Sequence, residues 1–177
     1  EMGPDGIIFP QVSSAEELKK AMDACLYPPK GTRGFGPRRA CGYCSEDLFQ
    51  YIEEAPDRMC RFAQVEHVDA VNNLEEMVKV PGLDGIILGP CDLSGSIGHL
   101  NDIFHPEVLA LIDACVAKCR GAGVPVGIAV GANSEEDVLF WLNRGIQFIS
   151  AGSDLSAISS AAHAQSAMMR RVAEKLK

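Results

Sequence analysis

Basic residues are scarce in this sequence. Lysine and arginine number 16 against 24 aspartates and glutamates, a net charge of −8. A surface of that sign repels phosphates, so nucleic acid and anionic membrane are not expected partners. Long apolar runs are missing as well: no stretch approaches the roughly 20 residues of a membrane-spanning helix, and no signal-peptide pattern opens the sequence. Regular cysteine spacing is absent. The seven cysteines are odd in number and irregularly placed, which suits reduced thiols in a cytoplasmic protein better than a disulfide framework. Cys41-Gly-Tyr-Cys44 is a lone CxxC with no second pair for zinc and no thioredoxin setting, and it reads as coincidence. The glycines of residues 30–44 are spaced Gly-x-x-Gly-x-Gly, but no Lys-Ser/Thr follows, which argues against a nucleotide P-loop. No Rossmann glycine fingerprint follows the first strand-like run.

What is present is an alternation of short apolar runs and helix-like segments. Strands are expected at residues 5–12, 58–66, 84–88, 124–130 and 147–151. Helices are expected at residues 15–26, 45–54, 68–78, 105–120, 134–144 and 154–177. The punctuation fits: Ser13 or Ser14 and Ser134 stand as N-caps, Pro28-Pro29 and Pro81-Gly82 as breakers, Gly121 and Gly123 as a helix end. Cys115 and Cys119, four apart on one helix face, read as core. The Arg-rich loop at 30–44 reads as scaffold and interface, with carboxylate binding as the alternative. No linker or domain boundary interrupts the 177 residues, so one domain is expected over 1–177.

Repeated strand–helix units imply a parallel sheet with right-handed crossovers. An open doubly wound sheet is one solution. The polar residues after each strand favour the other, a TIM (β/α)8 barrel, which needs eight units and about 250 residues. The sequence opens at Glu1 and reaches a strand-like run within a few residues, so upstream sequence is expected to be missing.

The chemistry concentrates between Arg61 and Gly98. Two apolar runs end in polar residues, Gln64 and Glu66 after the first, Cys91, Asp92 and Ser94 after the second. In parallel α/β proteins the carboxyl ends of strands face the ligand crevice. Glu66 and Asp92 at adjacent strand ends would offer hard oxygen ligands to Mg²⁺ or Mn²⁺. The competing reading is solvated surface charge. The stretch LSGSIG that follows Asp92 reads as a tight turn of small residues, with Gly89, Pro90 and Gly95 letting backbone approach a ligand.

Three blocks carry a resemblance: PPKGTRGFGPRRA, QVEHVDAVNNLEEM, and PGLDGIILGPCDLSGSIG with HPEV after it. Together they resemble the metal-dependent pyruvate aldolases of the HpcH/HpaI family, over essentially the whole chain. The resemblance implies a barrel of the phosphoenolpyruvate/pyruvate-binding type, with this chain supplying strands 4–8. It implies reversible cleavage of a 4-hydroxy-2-oxo (2-keto-3-deoxy) acid to pyruvate and an aldehyde, with Mg²⁺, Mn²⁺ or Co²⁺ as cofactor. Position by position, Glu66 and Asp92 match the metal carboxylates and Gln64 a substrate-binding glutamine. Cys91, where alanine or serine is more usual, matches the residue whose backbone N–H, with that of Asp92, holds the pyruvate carboxylate. Glu1 falls where the family has an aspartate that supports the catalytic histidine. The family's arginine and histidine belong to a part not in this chain, and His67, His99, His105 and His163 do not match that histidine. Strand parity points His67 away from the site. The resemblance further implies a homo-oligomer, often a hexamer, with the last helix exchanged between subunits; a companion N-terminal fragment is the alternative partner. Two other readings stand beside the aldolase: an acyl-CoA lyase like the citrate lyase β proteins, and an inactive truncated barrel serving as scaffold. No Schiff-base lysine ends a strand; Lys79 and Lys118 fall in expected helices.

Overall fold

The computed structural model describes residues 1–131 and 134–176. Its frame is a parallel sheet of five strands in sequential order, β1 (Gly6–Phe9), β2 (Cys60–Val65), β3 (Gly85–Leu88), β4 (Val126–Ile128) and β5 (Phe148–Ile149). The helices are α1 (Ala15–Asp23), α2 (Leu48–Glu54), α3 (Val68–Met77), α4 (Pro90–Ser96), α5 (Pro106–Ala122), α6 (Glu135–Asn143) and α7 (Asp154–Lys175). The order never reverses, so the sheet has no topological switch point of the doubly wound kind. Among the described residues no helix is long and apolar enough to cross a membrane.

Alternation along the strands decides which face is covered. Ala63 and Val65, Ile86 and Leu88, and Val126 and Ile128 are buried together with Leu18 and Met22 of α1, Leu74 and Met77 of α3, Ile112 and Cys115 of α5, and Trp141 of α6. Residues of the opposite parity, Phe62, Gln64, Ile87 and Phe148, belong to the other face. There Phe62 and Phe148 pack ring to ring at 5.5 Å. A Cβ on Gly127 would lie 2.3 Å from the Phe148 ring, so only glycine lets that ring lie across β4.

The differences from the sequence expectations are local. α1 stops at Asp23 and not near Leu26, because the Asp23 carbonyl accepts the N–H groups of Leu26 and Thr32 and the chain turns. Ser14, not Ser13, is the cap, accepting from Glu17 N–H, while Ser13 N–H donates to the Glu17 carboxylate. α2 begins only at Leu48, capped by Asp47. β4 and β5 are shorter than expected; Gln147 N–H and Val126 N–H still find partners, through the Val126 carbonyl and the Gln147 side chain. The LSGSIG stretch is not a turn: residues from Pro90 to Ser96 form a short helix. α5 runs through Gly121 and ends at Gly123 in the left-handed conformation. The last residue of the expected final helix, 177, lies outside the described residues. The seven cysteines are free, and Cys41 is buried while Cys44 is exposed.

Burial lifts the thiols of Cys115 to about 12 and Cys119 to about 11. Both are held as neutral core groups. A thiol reagent at neutral pH is expected to label Cys44, Cys60 and Cys91 on the native chain, and Cys115 and Cys119 only after denaturation, as read by mass spectrometry. Leu74 is fully buried in the main core cluster, on the helix α3 that packs against α1 and α5. Leu74→Ala is expected to cost about 2–5 kcal/mol in a denaturant titration; a loss under about 1 kcal/mol would place Leu74 outside the core.

Candidate active site

β2 and β3 run in register, with Gln64 level with Ile87 and Val65 level with Leu88. The residues that follow, Glu66 and Gly89, therefore meet side by side. Glu66 is 6% exposed, an uncommon state for a carboxylate, and it is stabilised by directed donors. Oε1 accepts the Gln11 backbone N–H at 2.7 Å, and Oε2 accepts the Gln64 side-chain amide. Gln11 presents its N–H from a left-handed backbone conformation, φ 54°, which a non-glycine residue adopts only under local constraint. Gly89 makes the arrangement fit. A Cβ there would stand 2.8 Å from Glu66 Cβ, 2.9 Å from its Oε2 and 3.0 Å from Gln64 Nε2.

Asp92 comes from α4, the short helix that Pro90 opens directly after β3. Leu93 anchors α4 in the core. Two serines tie it to its neighbours. Buried Ser94 donates to the Cys91 carbonyl at 2.6 Å and accepts Asn101 N–H at 2.9 Å. Ser96 donates to the Leu93 carbonyl at 2.7 Å and accepts Val68 N–H at 3.1 Å, which satisfies a free donor at the start of α3.

Glu66 and Asp92 line one cavity of about 440 Å³, whose walls also include Gln11, His67, Asp69 and Ser96. Among the described residues its lining holds three carboxylates and no lysine or arginine. Such a cavity suits a hard cation. Each Glu66 oxygen accepts one protein hydrogen bond and keeps a second lone pair. Asp92 has no side-chain hydrogen bond or ion pair among the described residues and is exposed. The donor set thus fits a divalent oxygen-loving ion, with Glu66 fixed and Asp92 free to turn toward it.

The other expected site residues are placed differently. Gln64 touches the cavity only through Glu66. Cys91 is exposed on α4 beside Asp92. Glu1 is outside the cavity lining and pairs with Arg33 at 3.2 Å. Arg33 also stacks 4.4 Å from the centre of the Tyr27 ring, so it braces the loop against the small cluster of Tyr27, Cys41, Tyr51 and Ala55. His67 corrects the parity argument. β2 ends at Val65, so His67 is no strand residue but the N-cap of α3, and it lines the cavity. Its Nδ1 accepts Asp69 N–H at 3.2 Å and lies 3.3 Å from the Asp69 carboxylate. Gln11 is the residue that sequence reasoning missed. Its contribution is a backbone N–H, and the only signal is its place after Phe9-Pro10 at a strand end.

The chain is 36% identical over 164 residues to a 2-dehydro-3,6-dideoxy-6-sulfogluconate aldolase of Pseudomonas putida, covering 92% of this chain and 63% of that protein. It is 34% identical over 167 residues to a 4-hydroxy-2-oxo-heptane-1,7-dioate aldolase of Shigella flexneri, covering 94% and 62%. The crystal structure of an HpcH/HpaI aldolase from Desulfitobacterium hafniense DCB-2 superposes with a TM-score of 0.80 at 27% identity, over 95% of this chain and 64% of that one. The chain thus spans under two thirds of the length of each. The sequence profile of the HpcH/HpaI aldolase/citrate lyase family matches residues 1–161, and the chain belongs to that family.

Proposed function

We propose that this chain carries the metal- and pyruvate-binding part of an aldolase that reversibly cleaves a 4-hydroxy-2-oxo acid to pyruvate and an aldehyde. The observation that carries the reading is the pair Glu66 and Asp92 in one acidic cavity at the carboxyl ends of β2 and β3. The aldolase names of the relatives support it over the acyl-CoA lyase reading.

In this reading Glu66 and Asp92 would hold Mg²⁺, Mn²⁺ or Co²⁺. When bound, such an ion would supply Lewis-acid chemistry toward the 2-oxo group of pyruvate. Gln11 and Gln64 fix the Glu66 carboxylate so that its free lone pairs face the cavity. The backbone N–H groups of Cys91 and Asp92 hold the pyruvate carboxylate, and a backbone contact tolerates the thiol at 91. Gln64, whose amide is engaged with Glu66 outside the cavity lining, would have to turn to orient the oxo acid. The base and the cation that stabilises the enolate belong to polypeptide outside these residues; Glu1, engaged with Arg33, would act only at a distance.

The same reading closes the sheet into a (β/α)8 barrel in which β1 to β5 are staves 4 to 8. Helices cover one face of the sheet, while Phe62, Ile87 and Phe148 belong to the face that would look into the barrel. β1 and β5 are its edges, and Ile8 on β1 is 43% exposed. No residue of α7 is buried, and Leu155, Ile158 and Met169 stand open along it. Apolar surface of that extent suits a contact with a second subunit, and a homo-oligomer that exchanges α7 would cover it.

In a protein that supplies the base and the cation together with these residues, pyruvate release from a panel of 4-hydroxy-2-oxo acids is expected to need a divalent metal. Glu66→Gln and Asp92→Asn are each expected to lower kcat/KM at least about a hundredfold, more than outer-shell changes cost. Activity that survives chelation, or that ignores both substitutions, would overturn the assignment. Gly89→Ala should push Glu66 and Gln64 out of line. A tenfold or greater loss of Mn²⁺ affinity is expected with the circular dichroism spectrum unchanged, since large effects on metal affinity follow from misoriented ligands.

A further inference from the structure

A second cluster of ligand-type side chains lies on the far side of α4, where the chain crosses from that helix to α5. His99, His105 and Glu107 each bring a donor atom, and the three donors lie within 4.8 Å of one another. The two imidazoles are stacked, with ring centres 3.5 Å apart and planes 19° from parallel. His99 Nε2 is 3.4 Å from a Glu107 carboxylate oxygen. His99 and His105 are half-buried and Glu107 is exposed, so the cluster opens to solvent on one side. None of the three lines the Glu66–Asp92 cavity.

We propose that His99, His105 and Glu107 form a binding site for a zinc-like transition-metal ion, separate from the oxygen-only site of Glu66 and Asp92. Two imidazoles and one carboxylate are a donor set that Zn²⁺ accepts readily and Mg²⁺ does not. Tetrahedral zinc with bonds of roughly 2.0–2.2 Å needs its ligand atoms about 3.3 Å apart. The His99–Glu107 pair already stands at that separation. The remaining separations, at most 4.8 Å, close by rotation of side chains that are not locked in the core. Coordination by His105 competes with one contact, since its Nδ1 accepts Glu107 N–H at 3.3 Å as the cap of α5. That bond is at the weak end of the range, and its loss is small beside three metal bonds.

The position gives the ion a structural consequence. His99 N–H donates to the Ser94 carbonyl at 2.8 Å, and Asn101 N–H donates to Ser94 Oγ. A metal joining His99 to the first turn of α5 would therefore staple the end of α4 to α5. α4 is the element that carries Asp92.

Zinc binding separates this from an ordinary ion pair beside a helix cap. The whole chain carrying Glu66→Gln and Asp92→Asn, which removes the first site, is titrated with Zn²⁺ by calorimetry. One equivalent is expected to bind, with excess Mg²⁺ failing to compete. Adding His99→Gln or His105→Asn should weaken that binding at least tenfold. Asparagine at 105 keeps a capping acceptor, so the helix is retained and circular dichroism checks it. Failure of the doubly substituted chain to take up zinc, or zinc affinity unchanged by both histidine substitutions, would overturn the site. The readout is independent of aldolase activity, so failure here leaves the Glu66–Asp92 assignment standing.

Discussion

The contact between Glu66 and Gly89 is the constraint on which the rest of the site depends. A carboxylate 6% exposed must be met by donors. The Gln11 N–H and the Gln64 amide meet it from two directions. The Gln64 contact could not form as it stands if residue 89, just after β3, carried a side chain, because a Cβ there would fall inside the van der Waals distance of both Glu66 and Gln64. Three strands are thus locked together at their carboxyl ends. β1 delivers Gln11, β2 delivers Gln64 and Glu66, and β3 delivers the bare backbone that lets them pack.

The same junction launches α4. Gly89 is its N-cap and Pro90 its first residue, so the turn that frees space for Glu66 also sets the direction of the helix that carries Asp92. A seven-residue helix has little stability of its own. Leu93 in the core and the two serines supply what length does not. Ser94 and Ser96 close on the carbonyls of Cys91 and Leu93 and accept from Asn101 and Val68. The position of Asp92 is therefore set by packing against α3 and α5, while that of Glu66 is set by the sheet. Glu66 is held by two donors, while Asp92 is exposed and has no side-chain partner among the described residues, a combination that suits the proposed metal site.

Most of the fold was legible because its signals are local. The runs at Gly85–Leu88 and Cys60–Val65 are short and apolar, and the α3 positions Ala70, Val71, Leu74 and Met77 keep helical spacing. Glu66 and Asp92 stood out because each follows such a run within a few residues. What was not legible depends on tertiary contacts. LSGSIG has the composition of a turn, since serine and glycine gain nothing from helix propensity. It is helical because Leu93 is buried and because the serine hydroxyls find partners on α3 and the α5 connection. His67 was judged by strand parity, a rule that lapses where the strand ends at Val65. Gln11 was marked only by its place after a strand end, because what it contributes is a main-chain N–H turned by a left-handed φ, and that leaves no mark in side-chain chemistry.

The face of the sheet that helices leave uncovered bears on how the site works. Phe62 and Phe148 meet across it, and Gly127 is bare so that they can. Gln64 stands on that face two residues beyond Phe62, and its amide reaches Glu66 just past the end of the strand. β2 thus leads from aromatic packing to the amide that fixes the carboxylate. Apolar packing beneath the site lowers the local dielectric and strengthens the grip of Glu66 on a cation. Solvent at the open side weakens it. A polypeptide covering that face, as the proposed barrel requires, would do more than hide hydrocarbon, because it would raise the field in which the carboxylates act. Coverage of the sheet and strength of the site are one physical question, and β2 is where they meet.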